Sequence, residues 1–555
     1  MLELIKIFCK NNGEYYDFEA GVTPLEIFKS KNIRLANPLA GVRVNNVSRS
    51  LTFRCYEPKT VEFIDICDLS GMRSYVRSLC FVLSKAVADL FPEGKIYIEH
   101  PVSNGYYCDL DIEGEITAQT VDAIKERMKK IIAEDLPFEV HSAPTSEVVE
   151  LFRRNGMEDK ALLLETSGRV YANYHVLGGH IDYYYGALLP SASWVYLFDL
   201  QKYNGGLLLQ TPDKDNPHSI RPYVKQDKMM AVFHEQMEYL KSLGVSNVGD
   251  LNLANRKGEI SNLVKVSEAI QERKIADIAD DIAARYADGV RVALISGPSS
   301  SGKTTFCKRL HIELMVNALR PISISLDDYY VNRIDTPLDE NGDYDYESFY
   351  AIDLKTFNYD LKRLLAGEEI ELPTYDFVLG QRVYKGNKVK MEKNSILVME
   401  GIHALNPMLL PEISSNVAYK IYVSALTTIS LDDHNWIPTT DNRLIRRIIR
   451  DYQFRNYSAR ETISRWPSVR RGEEKWIFPY QEEADAMFNS AMLYELAALR
   501  RSAEPILTEV SPADPEYAEA YRLLKFLKYF IYIDIDELPN TSLLREFLGG
   551  SSFVY

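Results

Sequence analysis

Nowhere in the 555 residues do 18 apolar residues follow one another, so the chain offers no segment that reads as a membrane-spanning helix. The opening MLELIKIFCK also lacks a charged start followed by an apolar run of signal-peptide length, and the expectation is a cytoplasmic protein. Cysteine is scarce: six residues (Cys9, Cys55, Cys67, Cys80, Cys108 and Cys307) are scattered without a C-x-x-C pair, which points away from a zinc ribbon or a disulfide framework and toward buried free thiols. An excess of positive charge is missing too. With 64 Lys and Arg against 79 Asp and Glu the net charge is -15, which argues against wholesale binding to nucleic acid or an anionic membrane but leaves room for a local basic site. What remains is ordinary for globular protein, 46% hydrophobic and 26% charged. The length is too great for one core, and about 150 residues per domain gives three or four units.

One motif stands out. Residues Gly297 to Thr305 read GPSSSGKTT, a match to the phosphate-binding loop pattern G-x-x-x-x-G-K-[ST]. The preceding RVALIS is a short apolar run suited to a buried parallel strand, and FCKRLHIELMVNAL behind it has helical periodicity. The motif therefore has its strand-loop-helix context. Gly297, Pro298, Ser299, Ser300, Ser301 and Gly302 form a loop whose backbone N–H groups close around phosphate oxygens at a helix N-terminus. Lys303 is suited to neutralising the β- and γ-phosphates of ATP, Thr304 to offering its hydroxyl to Mg²⁺, and Thr305 to helix packing beside them. The loop identifies a phosphate donor and leaves the acceptor open.

Residues 1–65 begin with LELIKIF, turn at NNG, and continue through YYDFEA to TPLEIFKSK, where Thr23 and Pro24 read as N-cap and first helical residue. Two further strand-like runs, GVRVNNVSRSL and KTVEFIDI, complete a small β-grasp pattern. This order resembles the TGS domain at the front of threonyl-tRNA synthetases, most closely in LAGVRVNNVSRSL. Residues 66–212 resemble the second additional domain of the same enzymes, at RSLCFVLSKAVADLFPEGKIYIEHPVSNGYYCDLDIEG and again at HIDYYYGALLPSASWVYLFDLQKYNGG. In synthetases that edit, this domain carries H-x-x-x-H and C-x-x-x-H pairs. Aligning Leu90, Phe91 and Pro92, and then Ile181 and Asp182, puts Arg77, Phe81, Tyr184 and Leu188 at those four positions. None of them supplies the ligand or base chemistry of the originals. The resemblance then implies a domain without tRNA-editing hydrolysis, serving as a scaffold or as a retained ligand- or RNA-binding surface. His100, His141, His175 and His180 lie nearby in sequence without the i, i+4 spacing of a helical metal pair. Residues 213–288 turn helical and carry no synthetase catalytic core.

Beyond the phosphate loop, PISISLDDYYVNR is a strand ending in Asp327 and Asp328, where side chains of a parallel sheet face the ligand crevice. SILVMEGIHAL is a buried strand ending in Glu400, a charge that such a position tolerates only for a reason. DNRLIRRIIRDYQFR sets Arg443, Arg446, Arg447 and Arg450 on one helical face, an arrangement that calls for an anion or for pairing with acids such as Asp441 and Asp451. Together with GDYDYESFYAIDL and LPTYDFVLGQR, these segments resemble the uridine kinase and phosphoribulokinase family over residues 289–508. The resemblance implies that Asp327 takes the proton of the attacking hydroxyl and helps position Mg²⁺, and that Glu400 anchors the same ion. It implies that Asp345 holds a ribose hydroxyl, that Tyr375 and Phe377 flank a base with Arg382 near the sugar or phosphates, and that Arg443 and Arg446 belong to the lid that closes on the transferring phosphate. One departure concerns the base: where the family carries a histidine after Y-D-F-V, this chain has Leu379, Gly380 and Gln381. A glycine there leaves space for a larger base, and Gln381 offers an amide to either edge.

The combined expectation is an α/β and α+β multidomain chain. It has a β-grasp TGS-like domain (1–65), a synthetase-like α+β domain (66–212), a helical connector (213–288), a P-loop parallel-sheet kinase domain (289–508) and a C-terminal helical tail (509–555). The favoured activity is ATP- and Mg²⁺-dependent phosphorylation of a nucleoside 5′-hydroxyl. A sugar phosphate or other small alcohol as acceptor, and an RNA- or ribosome-associated nucleotide switch, are the alternatives, and the oligomeric state is left open.

Overall fold

The computed structural model describes residues 3–340, 342–411 and 413–554. At the front, strands Leu4–Cys9 and Lys59–Asp65 run parallel at the centre of a five-stranded sheet ordered Glu14–Glu19, Leu4–Cys9, Lys59–Asp65, Leu39–Val44, Val47–Arg49. The helix Pro24–Ser30 crosses it, started by a capping box in which Thr23 accepts from the Glu26 amide and Glu26 from the Thr23 amide. Asn45 and Asn46 make the tight turn between the last two strands with φ of 49° and 57°, a region that asparagine tolerates better than most side chains.

The next domain is built on the helix Leu69–Leu90, buried along most of its length, with the strands Lys95–Val102, Gly105–Asp111, Asp199–Tyr203 and Gly206–Gln210 in one sheet and Glu139–Pro144, Tyr171–Leu177 and His180–Asp182 in a second. Its interior shows what replaced the two metal-type pairs. Phe81 lies 5.7 Å from the Phe138 ring and 5.3 Å from Tyr184, Leu188 is buried in the same core, and Arg77 stacks on Tyr185 at 4.7 Å. The Tyr184 hydroxyl donates to Asp182 at 3.1 Å. A packed core thus takes three of these positions, and Arg77 stacks beside it. The four histidines are dispersed, each with its own local contact: His100 against Phe233, His141 on Glu139, His175 near the Tyr184 amide, His180 on Ser84.

Helices Asp227–Leu243, Val248–Arg256 and Ile260–Ala287 connect this half to an all-parallel five-stranded sheet of order Arg320–Ser325, Ser395–Glu400, Val292–Ser296, Ala418–Ser424, Ala486–Asn489. The helix Lys303–Val316 follows the central strand, as its sequence context requires. The closing segment is less helical than its pattern suggests, forming Tyr517–Leu527 and one turn at Arg545–Leu548, yet Leu543, Leu544 and Phe547 are wholly buried in the largest apolar core.

A buried charge network ties the two halves. The loop between Ala418–Ser424 and the helix Thr439–Arg455 reaches back so that His434 Nδ1 lies 2.7 Å from Asp182, its Nε2 3.1 Å from the Ile96 carbonyl, and the Ile98 amide donates to Asp433 O at 2.8 Å. Lys160, also buried, sits 3.5 Å from Asp182 and 3.4 Å from Asp432. Burial alone disfavours its ammonium, but Asp159, Asp432 and Asp182 outweigh that and hold it charged. Replacing Lys160 by Met leaves those carboxylates uncompensated; a loss of about 3–5 kcal/mol of stability is expected in urea unfolding. A shift below about 1 kcal/mol would mean that the network holds nothing together.

Candidate functional site

The phosphate loop rises from the strand Val292–Ser296, all of whose residues are buried. Its two glycines are fixed by close approach: a Cβ on Gly297 would lie 2.1 Å from the Val423 carbonyl, and one on Gly302, at φ 81°, would lie 2.5 Å from Leu543. Lys303 curls over the loop and donates to the carbonyls of Gly297 at 2.9 Å and Pro298 at 3.1 Å. Burial lowers its pKa, partly offset by Glu400 and Asp327. Thr305 gives both its amide (3.2 Å) and its hydroxyl (2.6 Å) to Glu546 of the closing segment, so the helix start carries a carboxylate from the far end of the chain.

Facing the loop are three acids. Thr304 Oγ1 donates to Glu400 at 3.4 Å, and burial together with Asp327 and Glu546 pushes the Glu400 pKa up to about 7 against the pull of Lys303. Asp327 is raised as well, by burial first, while Lys303, the Tyr330 hydroxyl, Arg455 and Arg450 counter it. The third acid is Glu347, raised to about 7 by burial, with Arg447 its strongest compensating charge and one carboxylate oxygen buried without a partner. Sequence reasoning misses Glu347 and favours Asp345; the structure has Asp345 accepting from the Glu347 amide at 3.1 Å, a turn contact that positions its neighbour. Carboxylates from the ends of two neighbouring strands, Asp327 and Glu400, and the Thr304 hydroxyl of the loop helix suit Mg²⁺, which keeps waters and takes phosphate oxygens in place of a full protein cage.

The arginine face divides in two. Arg443 and Arg446 are fully buried, ion-paired with Glu473 and Glu495, and they donate to the loop carbonyls of Ser299 at 2.9 Å and Ser300 at 3.2 Å. Glu473 also accepts from the Ser299 amide at 3.0 Å. These two arginines thus grip the loop from behind. Arg447 instead reaches the Ser299 hydroxyl at 2.8 Å, and Arg447, Arg450 and Arg455 share Asp451 while bearing on Glu347 and Asp327. A helical face of arginines carries no mark of which ones find acids; Glu473 and Glu495 lie 30 and 49 residues further on.

The hairpin Glu369–Asp376 with Gln381–Lys390 stands beside these groups. Tyr375 is buried, edge-on to Tyr330 at 5.8 Å and to Phe377 at 5.1 Å, and its amide donates to Asp328 at 3.0 Å. Phe377 is 61% exposed, so one aromatic is held and the other is free to close on a ligand. Arg382 is paired with Asp353 at 2.8 Å. Gly380 does not open space: at φ 68° its missing Cβ position lies 2.8 Å from the guanidinium of Arg333, whose amide donates to the Gly380 carbonyl at 2.7 Å. Gln381 is exposed at the turn.

Residues 292–496, the parallel sheet with its loop, carboxylates and arginine helix, match the family described as Phosphoribulokinase / Uridine kinase. This segment is a domain of that family. Outside it, the front of the chain is 34% identical over 151 residues to a threonine–tRNA ligase of Desulforamulus reducens, covering 27% of this chain and 24% of the ligase. A second such ligase, from Acetivibrio thermocellus, is 27% identical over 203 residues, 36% of this chain and 32% of the ligase. The chain therefore spans a third or less of the length of these curated relatives. Among solved structures, one described as a possible uridine kinase from Bacillus stearothermophilus aligns with the kinase-family domain at 18% identity and a TM-score of 0.26, covering 38% of this chain and 98% of that one.

The two classes of arginine are separable by experiment. Arg443→Ala removes one partner of a buried pair and is expected to cost about 3–5 kcal/mol of stability. Arg447→Ala should leave the melting temperature within about 2 °C of the parent while lowering turnover at least tenfold, read from thermal denaturation and an ATP-consumption assay on the same preparations.

Proposed function

We propose that this chain transfers the γ-phosphate of ATP to the 5′-hydroxyl of a nucleoside, with Mg²⁺ as cofactor. The observation that carries the reading is the convergence of Lys303, Asp327 and Glu400 on the phosphate loop beside the Tyr330–Tyr375 aromatic wall. ATP binds with its phosphates on the loop amides and Lys303. Thr304, Asp327 and Glu400 would hold Mg²⁺, which would supply positive charge to the phosphates. Asp327 accepts the proton as the acceptor oxygen forms its bond to the γ-phosphorus, the bond from phosphorus to the bridging oxygen breaks, and ADP leaves. Arg447 and Arg450 stabilise the charge of the group in transit, and Arg443 and Arg446 act as positioning residues for the loop. Tyr375 and Phe377 contact the base, Glu347 a sugar hydroxyl, with Asp345 and Arg382 shaping the same wall. Arg333 beneath Gly380 favours a base that presents acceptor atoms at that edge.

Lys303→Ala should abolish turnover with the fold intact, and Asp327→Asn should lower kcat by about 10²- to 10⁴-fold. ATP consumption against a panel of nucleosides and sugar phosphates decides the acceptor: turnover with a sugar phosphate or RNA and with no nucleoside overturns the reading.

The pH behaviour follows from Glu400 and Glu347, both raised to about 7 in the folded chain from ordinary values near 4.5. Folded protein then binds more protons than unfolded protein between those pH values, so stability without ligand should fall as pH rises from about 4.5 through 7. Binding of Mg·ATP favours the ionised acid of Glu400 and should release protons at pH 7, visible as calorimetric heats that change with the ionisation enthalpy of the buffer. Heats independent of buffer would count against the metal assignment.

A further inference from the structure

Four cations gather at the seam where the β-grasp domain, the synthetase-like domain and the closing helix meet. Arg77 comes from the helix Leu69–Leu90, Arg169 from the turn before the strand Tyr171–Leu177, Arg49 from the end of the strand Val47–Arg49, and Lys525 from the helix Tyr517–Leu527. Arg77 and Lys525 flank one residue: the Arg77 guanidinium lies over the Tyr185 ring at 4.7 Å and Lys525 Nζ donates to the Tyr185 carbonyl at 2.8 Å. Gly186 makes this possible, since a Cβ there would lie 2.3 Å from the Arg77 guanidinium. Arg169 stacks on Tyr529 at 4.2 Å, whose hydroxyl is bonded to that of Tyr183, two residues before Tyr185. The strand carrying Arg49 packs on the helix that carries Lys525, and the Asn46 amide donates to Pro512 O at 2.9 Å.

Among the described residues, no carboxylate lies within 4.0 Å of the charged nitrogens of any of the four. Arg77 is the telling member: the residue as a whole is only 8% exposed, among the described residues no hydrogen-bond acceptor meets its guanidinium, and its nitrogens are not among the buried unpartnered atoms, so they keep contact with solvent. One turn earlier, the same two helices solve the same problem with acids. Arg73 pairs with Glu519 at 2.8 Å, and Arg522 with Glu519 and Asp441, both at 2.6 Å. The chain thus neutralises its arginines along this crossing until it reaches Arg77, in a molecule that is otherwise acidic. The crowding is felt at Lys525, whose pKa falls to about 8 through burial and then Arg169, Arg77 and Arg49.

We propose that Arg77, Lys525, Arg169 and Arg49 form a binding site for a phosphate monoester, separate from the phosphate loop. A planar guanidinium and an ammonium beside it suit a doubly charged, multi-oxygen anion better than a carboxylate. The same group could arrive on a free nucleotide or at the 5′ end of an RNA, and the phosphate is the shared determinant.

The test uses the full chain with its phosphate loop filled by Mg·ADP, and titrates AMP, inorganic phosphate, and a short RNA with and without a 5′-phosphate. Lys525→Gln and Arg77→Gln should each weaken binding of the phosphorylated probe at least tenfold and leave Mg·ADP affinity unchanged; in the parent the probe should protect Lys525 from acetic anhydride, and in Arg77→Gln that protection should be lost. Tight binding of AMP identifies a nucleotide site. Binding of only the 5′-phosphorylated RNA identifies an RNA end. Equal affinity of both variants and the parent for every probe, RNA lacking its 5′-phosphate binding as well as RNA that has it, or no saturable binding below about 10 mM, overturns the proposal. If Arg77→Gln fails to fold, Lys525→Gln alone decides.

Discussion

Two buried guanidinium–carboxylate pairs, Arg443 with Glu473 and Arg446 with Glu495, fix the shape of the phosphate loop, and much else in the kinase-family domain follows from them. A loop that must present its amides to an anion has carbonyls pointing the other way, into protein. Here two arginines accept that arrangement by donating to Ser299 and Ser300, and each arginine is neutralised by an acid from a later segment. A buried ion pair is an uncertain source of stability, since desolvation of both charges opposes their attraction. Its value here is geometric: planar guanidinium groups hold the carbonyls of Ser299 and Ser300 at set positions, and with them the course of the loop.

The chain's two halves use buried charge differently. In the synthetase-like half, Phe81, Tyr184 and Leu188 pack into one apolar core. Charge survives at its border instead, where Lys160, Asp182, Asp432 and His434 form a closed network with a loop of the kinase-family domain. That loop leads directly into the arginine helix Thr439–Arg455. The synthetase-like domain is in this way part of the frame that orients the arginines.

Much of this was legible in the sequence, for physical reasons that can be named. The loop and its flanking strand and helix are local, so spacing and periodicity were enough. Thr23 with Pro24 at a helix start, and the Asn45–Asn46 turn, are short-range devices with characteristic residues, and both form in the fold. Asp327 and Glu400 were accessible because a carboxylate at the end of a buried parallel strand is costly to desolvate and rarely sits there without a ligand or a cation to meet it. The acids that settle the arginines and cap the loop helix were not, because Glu473, Glu495 and Glu546 are distant in the chain and look like ordinary helix residues until folding brings them in. Gly380 shows the limit of reading size from type: its empty side is filled by Arg333, which reaches it from another segment.

The loop's last contacts come from the far end of the chain, where Leu543 sits against Gly302 and Glu546 caps Thr305. Synthesis runs from the front, so the cradle is exposed on the ribosome long before those residues emerge. While they are still in the exit tunnel, the helix start lacks its carboxylate and the core around Leu543 and Phe547 is open to water. A nascent chain therefore holds its nucleotide motif in an unfinished form until Leu543 and Glu546 have emerged. A product truncated before those residues is left with an incomplete cradle.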